Sequence, residues 1–257
     1  MRIAIFSDVH GNLTALEAVL EHIKRQGPDL ILFAGDLCVF GARPGACVQR
    51  LREEGIASVF GNTDSWISNR PLLSDNIVTE KRSRSQNIDT AVGWTLAQMD
   101  EMDLAWLRTL PFHRRVSPTP HPKDDLLIVH ANPQDVDQPI HPPVPLQEEL
   151  YGEVKQPDED LRPLLRDVIA GVIAFGHVHI PNIRRSRDLT LANISSVSLP
   201  LDGDNRAKYG LLTWDHGWTV EHKRVDYDVD QEVDHLKRLK PPNWQKLGRH
   251  LQHASPR

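Results

Sequence analysis

The chain has 257 residues, 39% hydrophobic and 25% charged, which is room for one large domain or two small ones and too apolar for a disordered chain. Its 35 acidic against 30 basic side chains leave a net charge of -5. That argues against a broad grip on nucleic-acid backbone and predicts no stable nucleic-acid binding, while leaving a nucleotide substrate open. Cys38 and Cys47 are too few for a disulfide framework or a thiolate zinc site. Asp8 interrupts the first apolar run too early for a secretory signal, and no stretch reaches the length of a membrane span. No membrane partner and a reduced, cytoplasmic setting are the expectation.

In chain order, apolar runs stand at residues 3–7, 30–34, 57–60, 126–129 and 172–175. They are strand-length, rich in Ile, Val, Leu and Phe, and lack polar alternation, the pattern of strands buried on both faces. Each ends at a small or polar residue: Asp8, Gly35-Asp36, Gly61-Asn62, His130 and Gly176-His177. Helical periods lie between them. Leu13, Leu16, Val19, Leu20 and Ile23 share one face, and Gly27-Pro28 stops that helix. Residues 43–54 read as a second helix, 88–99 and 104–110 as a pair closed by Pro111, and 161–169 as a later one. This alternation predicts an α/β fold.

From residue 182 the pattern changes to short β runs at 182–185, 189–194, 209–214 and 218–225, with turn residues between them. These predict a second sheet packed on the first, hence a layered sandwich flanked by helices. The expected organisation is a single domain over residues 1–228, then a C-terminal helix, a Pro-Pro break and a polar tail over 229–257. Two stretches do not fit the core: the basic 65–86, with Lys81-Arg82-Ser83-Arg84, and the Pro-rich 133–160. Both follow a strand-end motif and read as rim or lid segments.

Taken together, the strand-end residues are Asp8, His10, Asp36, Asn62, His130, His177 and His179. In an open α/β sheet ligands bind beyond the carboxyl ends of the strands, so all seven are expected on one rim. Asp8 and His10, and His177 and His179, are two residues apart; in extended backbone each pair points to one side. Imidazole, carboxylate and amide oxygen without sulfur suit manganese, iron, zinc, nickel or cobalt. Seven ligands exceed one tetrahedral ion and suit two ions sharing a carboxylate, the arrangement that clamps both oxygens of an in-line phosphoryl displacement. Asn12, at the start of the first helix, is a candidate for phosphate contact or for a helix cap.

The motifs SDVHGN, AGDLCVFGARP, VFGNTD, IVHANP, FGHVH and SVSLPLDGDNRAKYGLL, in this order, resemble the calcineurin-like metallophosphoesterase superfamily, whose pattern is DxH, GD, GN(H/D), H, GHxH. The likeness is nearest to the small bacterial and archaeal phosphodiesterases of the diadenosine-tetraphosphatase-like kind. It implies an αββα sandwich of two packed mixed sheets and a hydrolase of small phosphate esters, phosphodiesters before monoesters. Asp8, His10 and His179 would hold one ion and Asn62, His130 and His177 the other, with Asp36 bridging. Manganese is the first expectation for both ions, and the bridging hydroxide would be the nucleophile, with Asp36, Asn62 and His130 at the reacting centre. The family commonly carries an acid His after the metal-binding Asn; here Thr63 stands there, and Asp64 is the nearest substitute donor. Ser195-Ser196 replaces a Gly-Ser turn of the family. The competing implication is a fold reused as an interaction scaffold, as in the retromer subunit of this superfamily, but such scaffolds lose site histidines that this chain keeps.

Overall fold

The computed structural model describes residues 1–68 and 86–254. The first run forms β1 (Arg2–Phe6), whose residues alternate between two cores. Ile3 and Ile5 face the second sheet, while Ala4 and Phe6 face the helices. Burying such a side chain is worth roughly 1.5–3 kcal/mol, so a strand apolar at every position is held from both sides. Helix α1 (Leu13–Gln26) buries Leu16, Val19, Leu20 and Ile23, is capped by Asn12, and ends at Gly27 with φ 58°. Next come β2 (Leu30–Ala34), α2 (Pro44–Glu53), β3 (Ala57–Val59) and α3 (Asn62–Ser68). α4 (Gln86–Leu96) and α5 (Glu101–Thr109) form the expected helix pair, and the short edge strand β4 (Arg114–Val116) follows.

The second half contains β5 (Leu126–Ile128), α6 (Val144–Tyr151), α7 (Leu161–Leu164), β6 (Val172–Phe175), β7 (Asn182–Ser186), β8 (Leu189–Asn193), β9 (Ala207–Trp214) and β10 (Trp218–Val225). The chain then turns into α8 (Val229–Leu239) and α9 (Trp244–His253). Two mixed five-stranded sheets result, ordered β10-β9-β1-β2-β3 and β4-β5-β6-β8-β7. β1 runs parallel to β2 and antiparallel to β9. Ile3, Ile5, Leu32 and Val59 meet Leu126, Ile128, Val172 and Ala174 between the sheets. Helices cover the outer faces, giving the expected αββα layering.

Several local expectations are corrected. Helix α7 stops at Leu164 rather than running to 169, because Leu165 leaves helical geometry and Asp167 takes φ 61°. The chain beyond the Pro-Pro break is not an unspecified tail: Trp244, Leu247 and Leu251 lie on one face of α9 and pack with Ala42, Val233 and Leu236. The start of the 65–86 stretch belongs to helix α3, and Lys81-Arg82-Ser83-Arg84 lies outside the described residues. The Pro-rich 133–160 segment contains α6 and is cross-braced. Gln147 donates to the carbonyls of Pro142 and Gln156 and accepts from Lys155 and Gln156.

Candidate metal centre

The seven strand-end residues converge, but not by the extended-strand geometry expected of them. Asp8, His10, Asp36, His177 and His179 all adopt φ between 48° and 68°. Asp and His tolerate this left-handed region better than most residues, and each such residue still costs about 1–3 kcal/mol, a strain that clusters at functional sites. The turn after each strand thus aims the ligand back over the sheet edge. The glycines before Asn62 and His177 serve close approach: a Cβ on Gly61 would strike Asp36, and one on Gly176 would strike Asp8 and Ser7.

Two groups of lone pairs face inward. In the first, His10 Nδ1 donates to the Val39 carbonyl at 3.0 Å and His179 Nδ1 to the Leu199 carbonyl at 2.8 Å. Those bonds assign the protons to Nδ1. The two Nε2 lone pairs then meet at 3.3 Å, with Asp8 Oδ1 3.0 Å from that of His179. In the second, His130 Nδ1 donates to the Ala34 carbonyl at 2.9 Å. Its Nε2 faces Asn62 Oδ1 at 3.0 Å and His177 Nδ1 at 3.2 Å. Asp36 stands between the groups, with Oδ2 3.8 Å from His10 Nε2 and Oδ1 3.5 Å from His130 Nε2. Opposed lone pairs repel unless a cation lies among them, so the donor set fits divalent ions. Asp8, His10 and His179, and likewise Asp8, Asp36 and His130, present ligand atoms within 4.8 Å of one another.

Electrostatics follow from burial and crowding. Burial pushes His10 and His177 down to about 3. Burial is the largest influence on His130 and His179 and opposes their charge, but Asp36, Asp8 and the Ala34 carbonyl together outweigh it for His130, and Asp8, the Leu199 carbonyl and Asp36 together for His179, lifting both above the usual imidazole value. Burial would raise Asp8, yet the surrounding His179, His130 and His10 hold it well below the carboxylate range. Asp36 is raised, by burial first and then by the charge of Asp8.

The weaker candidates resolve differently. Asp64 is fully buried. Its Oδ2 accepts the N–H groups of Asp36 and Gly61, and its Oδ1 that of Leu37. Burial, and next the Asp36 charge, push it up to about 7. Both oxygens are committed to backbone, so Asp64 holds the Asp36 loop and is not placed as a proton donor to a leaving group. Asn12 takes the helix-cap role: its Oδ1 caps α1 at Ala15 N (2.9 Å) and its amide donates to Ser198. Thr63 is buried, and its N–H donates to Asp36 Oδ1 at 2.9 Å. Ser195 keeps the backbone a glycine favours, at φ 70°. Its hydroxyl donates to the His179 carbonyl, and that of Ser196 to the Asp8 carbonyl.

Sequence reasoning missed Phe40, whose ring centroid lies 5.8 Å from that of His10, and Asn193, whose amide bonds the Gly176 carbonyl. Neither has a local signal, although Phe40 lies inside the quoted AGDLCVFGARP run. A groove of about 720 Å³ between α7 and the β7–β8 turn contains none of these residues.

Residues 1–217 match the model of the calcineurin-like phosphoesterase superfamily domain. The chain belongs to the calcineurin-like phosphoesterase superfamily. Among its relatives, the Methanocaldococcus jannaschii protein MJ0912 is 28% identical, covering 97% of this chain and 96% of that protein. Phosphodiesterase YfcE of Escherichia coli K12 is 24% identical over 82% of this chain and 87% of its own. A solved metallophosphoesterase from Sphaerobacter thermophilus is 25% identical, with 99% of both chains covered and a TM-score of 0.71. Pyrococcus horikoshii PH1004 shares the fold at 17% identity and TM-score 0.78, covering 99% of this chain and 98% of its own. This calcineurin-like phosphoesterase is therefore a hydrolytic enzyme of phosphoesters, in a family that uses divalent metals. No described helix is long and apolar enough to cross a membrane.

Proposed function

We propose that this phosphoesterase is a dinuclear metal-dependent phosphodiesterase. The observation that carries the reading is the pair of inward-facing lone-pair groups with one carboxylate, Asp36, between them. Asp8, His10 and His179 would hold one ion, Asn62, His130 and His177 the other, and Asp36 both. When bound, two such ions supply positive charge to the phosphate oxygens and an acidified water.

The protein's own part is positioning. The Val39, Ala34 and Leu199 carbonyls fix three imidazoles in the tautomer that offers Nε2 inward. Asp64 and the Thr63 N–H fix Asp36. No imidazole stands at Thr63 to protonate a leaving oxygen, and positioned acid catalysis is worth roughly 10²–10⁴-fold. Esters with acidic leaving groups are therefore favoured. The likeness to a protein named phosphodiesterase supports diesters over monoesters.

The test strips metal from the protein and restores manganese, iron, zinc, nickel or cobalt singly. Bis(4-nitrophenyl) phosphate and 4-nitrophenyl phosphate are then compared. Manganese-dependent turnover that favours the diester, with two ions bound per chain, is expected. Metal-independent turnover, or monoester preference, overturns the reading.

A further inference from the structure

Beside the metal centre, the loop carrying Phe40 and helix α9 border an open slot of about 210 Å³. Its walls are mainly apolar, formed by Phe40, Leu199, Pro242 and Leu247, with His250 at one side and Lys246 at the mouth. Two of its lining residues also touch the ligand histidines. Phe40 packs on the His10 ring, and the Leu199 carbonyl accepts from His179.

Phe40 takes φ 92°. For a bulky aromatic residue this is a true backbone outlier, and such strain persists only where the surroundings over-determine it, as at ligand clamps. The conformation sets the phenyl ring between His10 and Trp66, 6.4 Å from the latter, edge to face.

The opposite wall is built onto the same loop. Val233, Leu236 and Leu251 pack on Ala42, and Arg43 reaches the buried Glu232 of α8 at 2.6 Å. His250 Nε2 donates to the Pro200 carbonyl at 3.1 Å, pinning α9 beside the His179 loop. The slot is thus preformed, and it involves helix α9, outside the family-matched residues 1–217.

Its volume falls below the ~300–1,000 Å³ of sites that enclose a whole drug-sized ligand. One planar ring system fits that size, with its phosphate outside, against the ligand groups. We propose that the slot between Phe40 and α9 binds the aromatic group of the substrate, so that α9 selects aryl or nucleoside phosphodiesters over alkyl ones. The proposal rests on the phosphodiesterase reading for its substrate class.

The experiment is calorimetric binding of phenyl phosphate, thymidine 5′-monophosphate and methyl phosphate to the manganese-loaded full chain. The aromatic ligands should bind at least about tenfold more tightly than methyl phosphate, a difference of ~1.4 kcal/mol. Leu247→Trp fills the slot, and Lys246→Trp, at an exposed position, blocks its mouth; either should bring the ratio to about one. Tightening by phenyl alone assigns the slot to small aryl rings, and tightening by both aromatic ligands extends it to nucleobases. Equal binding of all three ligands by the wild type, or a ratio kept in both variants, overturns the proposal. Selective binding without diester turnover sinks the catalytic reading and leaves the slot standing.

Discussion

The carboxylate of Asp64 holds the backbone of Asp36: its Oδ2 accepts the Asp36 N–H at 2.8 Å, while its Oδ1 takes the next N–H, of Leu37, at 2.9 Å. The central carboxylate of the site is thus aimed by a second, fully buried one. Asp64→Asn replaces one acceptor oxygen by a donor against backbone N–H groups. Leaving buried donors unmatched costs about 1–3 kcal/mol. Urea unfolding of the metal-free variant should show that loss, and metal titration should show weaker binding. Unchanged stability would show that these N–H groups do not depend on Asp64.

Asp8 and Asp36 should separate by metal count. Asp36 faces both groups, so Asp36→Asn should lower the content of both ions. Asp8 reaches His10 and His179, and its Oδ2 accepts the His177 N–H. Asp8→Asn should chiefly empty the first group. Elemental analysis after dialysis decides it; two ions retained by Asp36→Asn would refute a shared ligand.

With Thr63 where the family commonly has an acid His, turnover should fall steeply as leaving-group pKa rises across a graded series of phosphodiesters. Thr63 is buried beside Asp36, so Thr63→His should flatten the series only if the ring finds room outside the ligand group. A flat wild-type series would mean that another group supplies the proton.

Arg184 is buried and ties β7 to the Pro-rich segment. Its Nε reaches Asp158 at 3.0 Å, and its terminal nitrogens donate to the carbonyls of His141 and Gln156. Arg184→Ala leaves those carbonyls bare, at about 1–3 kcal/mol for each buried group left unpaired. Limited proteolysis should then cut first within 133–160. Wild-type cleavage kinetics would show that the segment is held by other bonds.

The Tyr209 hydroxyl donates to His22 Nδ1 at 3.0 Å, and this bond should be visible in stability against pH. Burial lowers His22 from 6.5, so its contribution is present above that value and lost as pH falls. Burial pushes Tyr209 from 10.0 up to about 12, so its contribution is present below the lower value and lost as pH rises toward the higher. The deficit of Tyr209→Phe should be about 0.5–1.5 kcal/mol between those limits and shrink on both sides. Denaturant midpoints across pH measure it; a constant deficit would mean the bond does not titrate.

The sequence by itself determined the strands and the residues at their ends. A strand buried on both faces must be apolar throughout, and whatever interrupts it is conspicuous, as Asp8, Asp36, Asn62, His130 and His177 are. It also determined α1, whose stripe from Leu13 to Ile23 records burial at helical period. Helix α9 left such a stripe too, at Trp244, Leu247 and Leu251, obscured by the polar residues between. Edge strand β4 left none, because the Arg-Arg-Val of an exposed edge buries too little to need a pattern. Only the tertiary structure decided how the ligands are aimed. Left-handed turns at Asp8 and His177, the Asp64 clamp on Asp36, and the closing of Phe40 against α9 join residues far apart in sequence. Local periodicity reports how deeply a segment is buried; the partner of a hydrogen bond across loops is chosen by packing, and no local pattern carries it.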